Sequence, residues 1–227
     1  MIKAVLFDLD NTLIDFMTMK EESCKAAIKA MIDSGLPLSE KKAYKILFSL
    51  YGFYGIEFQK IFQRFLKKVL GRIDYKILAN AITAYRRTQE GFTTPYPLVR
   101  PTLLKLKSKG IILGIVTDAP RLRAWLRLAE MNLTEFFDFV ITLGDSKQKK
   151  PSKMPFNKAL RELQTMHKLV PDEILFVGDN PFKDIKGAKS VGMKTALAEY
   201  GCLYPSKNIK LKADYNLKNF KDLMKIV

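Results

Sequence analysis

A short apolar run, Ala4–Phe7, leads directly into Asp8-Leu9-Asp10-Asn11-Thr12. Consecutive apolar residues that end in a polar turn are typical of a strand buried on both faces of a parallel sheet. In an open α/β sheet, ligands bind beyond the carboxyl ends of the strands. Two carboxylates there can act as a nucleophile, as metal ligands or as an acid and base, or they can be turn and helix-capping residues.

Three later segments have polar residues in comparable positions. Thr117 follows a second apolar run, and Lys150 precedes a proline. A third apolar run leads into Gly178-Asp179, and Asp184 follows five residues later. Because the carboxyl ends of parallel strands meet at one edge of a sheet, we expect these side chains to lie close to Asp8.

In this order, the four segments resemble the motifs of the haloacid dehalogenase superfamily of phosphohydrolases. Those motifs are DxDxT, a Ser or Thr at a strand end, a Lys often followed by Pro, and GDxxxxD. The resemblance runs from position 8 to 184 and extends through Val191-Gly192-Met193. It implies an α/β fold with a Rossmann-like parallel-sheet core in three αβα layers and an inserted all-helical cap domain.

The predicted elements agree with that implied organisation. Residues 16–95 are helical in pattern, with a capping box at Thr18 and Glu21 and four helices, whereas the remainder alternates strand and helix. We therefore expect a core at 1–15 and 96–227 and a helical cap at 16–95. The predicted strands are 4–8, 111–116, 139–143, 174–177 and 194–198. The predicted core helices are 101–108, 122–131, 156–166, 182–191 and 219–226.

The resemblance also implies a role for each motif residue. Asp8 is the nucleophile that forms an aspartyl-phosphate. Asp10 is the acid that protonates the leaving oxygen and then the base that activates water. Thr117 and Lys150 bind the non-bridging phosphate oxygens. Thr12 orders the nucleophile loop or serves only as a turn residue.

Magnesium is the implied cofactor, since Mg²⁺ prefers oxygen ligands. The implied ligands are Asp8, the backbone carbonyl of Asp10, Asp179 and, directly or through water, Asp184. The phosphate lysine is less well defined by the sequence. We favour Lys150 because the segment beginning there resembles KPxPxxF, although a lysine replaces the second proline; the other candidates are Lys147, Lys149 and Lys153.

Substrate choice is predicted to depend on the cap. Phe53 and Tyr54 lie in a predicted turn, 51–55, between two glycines that allow it to change shape, and Arg86 or Arg87 adds positive charge. In the alternative interpretation, Phe53 and Tyr54 merely pack the cap core.

The second core helix and its entry have weaker signals. Asp118 contacts the substrate or the cap, or it caps the helix that begins near Pro120. We expect Arg127, like Arg121 and Arg123, to provide packing and a solvated face. His167, the only histidine, is expected to have no catalytic role.

The chain has 227 residues and a net charge of +16, from 39 Lys and Arg against 23 Asp and Glu. This excess is spread along the chain, so we expect it to favour anionic metabolites or solubility and consider nucleic acid an unlikely partner. No segment reaches the roughly 18 apolar residues of a membrane span. Cys24 and Cys202 form no CxxC pair, which favours a reducing, cytoplasmic location.

Together these features predict a Mg²⁺-dependent phosphatase of small phosphorylated metabolites. A phosphomutase uses the same motifs and remains an alternative. A haloacid dehalogenase is disfavoured because a halide leaves without a proton and needs no Asp10. A non-enzymatic protein that binds phospho-ligands or nucleic acid is the third alternative. The sequence does not indicate the substrate or the oligomeric state.

Overall fold

The computed structural model of the protein describes residues 1–204 and 211–227. The chain divides into two compact units. The sheet unit comprises Met1–Asp15 and Thr94–Val227, and the helical unit comprises Phe16–Thr93. No helix within the described ranges combines the length and apolar character that crossing a membrane would require.

The sheet unit is built on six parallel strands in the order β3-β2-β1-β4-β5-β6. β1 is central, and its last residue, Phe7, is in register with Ile115 of β2 and Val177 of β4. Asp8, Thr117 and Asp179 therefore follow neighbouring strands at the same edge of the sheet. The strands are β1 Ala4–Phe7, β2 Ile112–Val116, β3 Phe139–Ile141, β4 Ile174–Gly178, β5 Lys194–Ala198 and β6 Tyr215–Leu217.

The predicted α/β fold with a parallel sheet and a helical insertion is confirmed, but β6 was missed. Only Leu217 of its three residues is buried, so this edge strand has no continuous apolar run to reveal it. The predicted helix at 182–191 is a π-helical turn, Pro181–Ile185, followed by one short α-helix. The predicted helix at 219–226 is a 3₁₀ helix, Phe220–Lys225.

The helical unit contains four helices with a hydrophobic core of their own, and α1 packs chiefly against α4. The helix α3 ends at Gly71, whose φ of +73° suits glycine, and Asp74 caps α4 by accepting from the backbone N–H groups of Lys76 and Ile77. The four helices are α1 Phe16–Asp33, α2 Glu40–Tyr54, α3 Ile61–Leu70 and α4 Tyr75–Phe92.

Two local predictions for this unit are wrong. The predicted capping box at Thr18 does not start α1, because the helix already begins at Phe16. The segment 51–54 is the last turn of α2 and not a loop, since Tyr51 is buried in the helical core and the helix ends only at Gly55, where φ is +90°.

The sheet is covered by further helices of the sheet unit. From the helix α8, Phe156 packs its ring edge-to-face on Phe176 of β4, with 5.1 Å between ring centroids. The position of the Phe156 ring requires a glycine at position 187, because a Cβ there would lie 2.2 Å from the ring. These helices are α5 Val99–Ser108, α6 Arg121–Glu130, α7 Leu143–Ser146, α8 Lys153–His167 and α9 Lys186–Lys189.

Candidate active site

Four predicted residues converge at the carboxyl edge of the sheet. Asp8, Asp179 and Asp184 are buried, and one carboxylate oxygen of each lies within 4.8 Å of those of the other two. The Lys150 Nζ atom lies 2.7 Å from Asp8 Oδ1 and 2.7 Å from Asp184 Oδ1. We call these four side chains the acidic cluster.

The turn after β4 sets the position of Asp184. Its Oδ2 atom accepts from the backbone N–H of Asn180 at 3.0 Å, and its Oδ1 atom faces Lys150. Gly178 makes room for this carboxylate, because a Cβ at Gly178 would lie 2.5 Å from the Asp184 side chain. The glycine and the second aspartate of GDxxxxD are therefore required together by packing.

Burial dominates the electrostatics of the acidic cluster. Burial, opposed by Lys150 and reinforced by Asp184, raises the pKa of Asp8 to about 7. Burial, together with Asp184 and Asp8, raises the pKa of Asp179 to about 9. For Lys150, burial alone lowers the pKa, but Asp184 and Asp8 outweigh it and raise the pKa above its usual range. The lysine is therefore charged.

The cluster fits a divalent cation. If all three carboxylates are ionised they carry three negative charges, and Lys150 offsets only one of them. Burial and the neighbouring carboxylates therefore raise the pKa of Asp8 and of Asp179. The donors are all hard carboxylate oxygens close enough together to share one ion, which is the ligand chemistry that Mg²⁺ and Ca²⁺ prefer.

The structure distinguishes the candidate lysines by burial. Lys147, Lys149 and Lys153 are exposed, whereas Lys150 is only 3% exposed and contacts the carboxylates. Sequence spacing alone left this choice open because all four lysines fall within seven residues.

Asp118 connects the end of β2 to the lysine loop. Its Oδ1 atom accepts from the backbone N–H of Lys150 at 2.9 Å, and its Oδ2 atom lies 3.3 Å from Lys183 Nζ. The capping alternative is wrong, because α6 has Pro120 as its N-cap residue and no side chain caps it. Next to Asp118, the buried Thr117 accepts from the Ala119 N–H through Oγ1, so its own hydroxyl proton remains a donor.

The loop after Asp8 is held by contacts that the sequence did not reveal. The Tyr200 hydroxyl donates to the Thr12 carbonyl oxygen at 2.9 Å. Gly201 lies so close to this loop that a Cβ there would be 1.7 Å from the Asn11 carbonyl oxygen. Asn11 itself has a φ of +57°, a conformation that asparagine tolerates better than most residues.

The side chain of Asp10 is hydrogen-bonded to Arg127, a residue for which the sequence predicted a different role. The Arg127 Nη1 atom donates to Asp10 Oδ2 at 2.8 Å, and Arg127 is only 5% exposed. The expectation of a packing or solvated role for Arg127 is therefore wrong. Its spacing of three residues from the small, apolar Ala124 was the available signal, because residues three apart on a helix share a face.

The residues predicted to set substrate choice lie on the helical unit. Phe53 is 81% exposed and Tyr54 is 36% exposed, and Tyr54 stacks on Phe58 at 4.7 Å between ring centroids. Phe53 thus does not pack the helical core, which contradicts that alternative for this residue. Arg86 and Arg87 are exposed on α4.

Comparison with known proteins shows which family this chain resembles. The profile of haloacid dehalogenase-like hydrolases matches residues 5–198. Glyceraldehyde 3-phosphate phosphatase from Pyrococcus furiosus is 34% identical over all of this chain and 93% of the relative, and the protein of that name from Methanocaldococcus jannaschii is 34% identical over all of this chain and 97% of the relative.

A solved structure shares the fold. The HAD-hydrolase YfnB from Bacillus subtilis, in a crystal form bound to magnesium, superposes with a TM-score of 0.70 over 99% of this chain and 98% of its own, at 22% identity. This likeness supports the fold, and the family profile and the two phosphatases cover nearly the whole chain. The chain belongs to the haloacid dehalogenase-like hydrolase family.

Proposed function

We propose that this protein is a Mg²⁺-dependent phosphatase that hydrolyses small phosphomonoesters through an aspartyl-phosphate on Asp8. The observation that carries the proposal is the acidic cluster, in which a buried lysine and three buried carboxylates surround the end of β1. Lys150 and the cation would neutralise the negative charge of the phosphoryl group. Asp8 lies at the carboxyl end of a strand, where ligands bind in an open α/β sheet.

The first half of the reaction transfers the phosphoryl group to the enzyme. An Asp8 carboxylate oxygen attacks phosphorus, and the ester P–O bond to the substrate breaks. The protonated Asp10 gives its proton to the departing oxygen, which leaves as an alcohol.

The second half returns the enzyme to its starting state. Asp10, now ionised, takes a proton from water, and the water oxygen attacks phosphorus. The bond between phosphorus and the Asp8 oxygen breaks, inorganic phosphate is released, and Asp10 is protonated again for the next turnover.

Three groups would bear the charge of the phosphoryl oxygens. The ammonium of Lys150 and the hydroxyl of Thr117 would donate to non-bridging oxygens. Asp8, the backbone carbonyl of Asp10, Asp179 and Asp184 would hold Mg²⁺, which when bound offsets charge on the phosphoryl oxygens. Asp118 would keep Lys150 in place through its backbone contact.

Glyceraldehyde 3-phosphate is the first substrate to test, because two relatives of nearly equal length are named for its hydrolysis. Cys24 and Cys202 are both free thiols, in agreement with the proposed cytoplasmic location. A phosphomutase remains the second candidate, and its product would be a phosphorylated isomer without free phosphate.

The test is phosphate release from a panel that contains glyceraldehyde 3-phosphate, phosphoglycolate, sugar phosphates and p-nitrophenyl phosphate, with and without Mg²⁺. We expect Asp8→Asn to lose activity by about four orders of magnitude or more, because an amide cannot form the acyl-phosphate. Asp172→Asn is the matched control, since that aspartate is exposed and pairs with Lys194 at 3.3 Å on the surface. Normal turnover by Asp8→Asn would overturn the proposal.

A further inference from the structure

The most informative contact outside the acidic cluster is the ion pair between Arg127 and Asp10. It joins the loop that follows β1 to α6, and the two residues are 117 positions apart in the sequence. The side chain of Arg127 is 6% exposed and that of Asp10 is 24% exposed. A buried guanidinium is costly unless a hydrogen-bonded partner accepts it, so the contact with Asp10 is built into the fold of the sheet unit.

Resting on the proposed function, we infer that Arg127 is a positioning residue for the acid and base of the reaction. Asp10 must direct one oxygen toward the leaving group and then toward the attacking water. The hydrogen bond from the guanidinium to Oδ2 restrains the orientation of the carboxyl group, and it leaves Oδ1 as the oxygen that would carry the transferred proton.

The backbone around Asp10 is held separately from its side chain. The backbone N–H groups of Leu13 and Ile14 both donate to the Leu9 carbonyl oxygen, at 2.9 and 3.4 Å, and so close the turn that contains Asp10. These bonds fix the Cα of Asp10 and do not act on its carboxylate. Arg127 donates to the carboxylate directly and so restrains its rotation.

Arginine is suited to this task by its shape. Its guanidinium is planar, remains charged and presents several N–H donors in a rigid fork, whereas a lysine ammonium is a flexible point charge. Arg121, at the start of the same helix, offers a contrast: its side chain is 61% exposed and pairs with Asp145, which belongs to the capping box of α7. The two arginines thus carry the same charge and lie on the same helix, but Arg121 is exposed and Arg127 is buried.

The test compares Arg127→Met and Arg127→Lys with the control Arg121→Met. We expect Arg127→Met to lower kcat on alkyl phosphates by about 10- to 100-fold, with a smaller loss on aryl phosphates, whose leaving groups need less protonation. Arg127→Lys should recover part of the loss, and Arg121→Met should behave like the parent protein. A merely structural role would lower kcat on both substrate types equally.

A double-variant cycle identifies the route of the effect. If Arg127 acts through Asp10, adding Arg127→Met to Asp10→Asn should change kcat by less than about threefold, because the group that it positions is already disabled. Should Arg127→Met fail to fold in a thermal melt, Arg127→Lys and its combination with Asp10→Asn provide the same comparison. Equal losses in the presence and absence of Asp10 would overturn the inference.

The variant Asp8→Asn separates the two proposals. If Asp8→Asn retains turnover, the proposed function itself is wrong. If Asp8→Asn is inactive while the Arg127 variants keep the parent kcat and the parent ratio of alkyl to aryl rates, only the inference about Arg127 is wrong.

Discussion

Within residues 1–204 and 211–227, each of the two units buries one lysine, and the surroundings of these two lysines differ. In the sheet unit, Lys150 lies 2.7 Å from two carboxylate oxygens. In the helical unit, Lys20 is 7% exposed, donates to the Tyr85 hydroxyl at 3.0 Å and lies 4.4 Å from the centroid of the Tyr51 ring. Carboxylates fix a cation by strong charge pairing, whereas ring faces and a phenol stabilise it by weaker attraction.

This difference indicates different roles. The carboxylates around Lys150 are more than one lysine can neutralise, so that site has a place for additional positive charge. The contacts of Lys20 with Tyr51 and Tyr85 join α1 to α2 and α4. We therefore expect Lys150 to take part in chemistry on a charged substrate and Lys20 to contribute to the packing of the helical unit.

Among the variants that test the contrast between the two lysines, Lys150→Met should have the largest effect on activity. Removing the ammonium takes away a phosphate ligand and leaves three carboxylates without their protein counter-charge, so kcat/KM should fall by about 10³-fold. Lys149→Met is the control, because Lys149 is adjacent to Lys150 in the sequence but is exposed. Phosphate release measures both. A fall of less than tenfold would break the contrast between the two lysines.

Asp179→Asn should act on the metal more than on the protein. Replacing an anionic ligand with an amide should raise the Mg²⁺ concentration for half-maximal activity by about 10- to 100-fold. A titration of activity with MgCl₂ measures the shift, and Asp172→Asn should leave it unchanged. Parent-like Mg²⁺ dependence in Asp179→Asn would show that the acidic cluster is not the metal site.

The pH dependence of stability should reveal the excess negative charge directly. The pKa values of Asp8 and Asp179 rise from 3.8 to about 7 and about 9 in the folded protein. The folded state therefore binds more protons than the unfolded state, and the stability present below pH 3.8 is lost as the pH rises through 7 and 9.

In EDTA, we expect the thermal midpoint to fall by roughly 5–10 °C between pH 6 and pH 9.5. Saturating Mg²⁺ should reduce this slope, and so should Asp179→Asn in EDTA, since the amide does not ionise. A midpoint that rises with pH over this range in EDTA would contradict the raised pKa values.

A smaller effect is expected for Lys20→Met. Because an apolar side chain of similar length can replace a buried cation among aromatic rings, the free energy of unfolding should change by less than about 1 kcal/mol and kcat/KM by less than threefold. The exposed Lys29 on the same helix provides the control Lys29→Met. If Lys20→Met lost as much activity as Lys150→Met, the proposed difference between the two lysines would be wrong.

A similarly small effect should come from Tyr54→Leu, because Tyr54 is partly exposed and stacks on Phe58. If the ring helps to select substrates, the ranking of kcat/KM values across the phosphate panel should change by a few fold, with little loss of thermal stability. Tyr75→Leu, which replaces a 75% exposed ring, is the control. An unchanged ranking in variants of Tyr54, Phe53, Arg86 and Arg87 would remove them from substrate choice.

The sequence predicted the position of a polar residue correctly where that residue directly follows a strand. Asp8, Thr117 and Asp179 all lie one or two residues beyond a buried apolar run, so sheet geometry alone places them at one edge. Elements without such a run were less predictable. β6, with one buried residue, was missed, and the last turn of α2 was taken for a loop because Gly52 and Gly55 bracket it.

The sequence by itself determined the α/β fold class, the helical insertion and the carboxylates of the acidic cluster. The fold class and the insertion agree with the apolar periodicity, and Asp8 and Asp179 directly follow strands, whereas Asp184 was assigned from its resemblance to the GDxxxxD motif. All of these are properties of short segments. Only the tertiary structure selected Lys150 from its neighbours, joined Arg127 to Asp10 and brought Gly201 against Asn11. Those contacts join residues far apart in the chain, and they depend on which helix face packs against which loop, which no local pattern specifies.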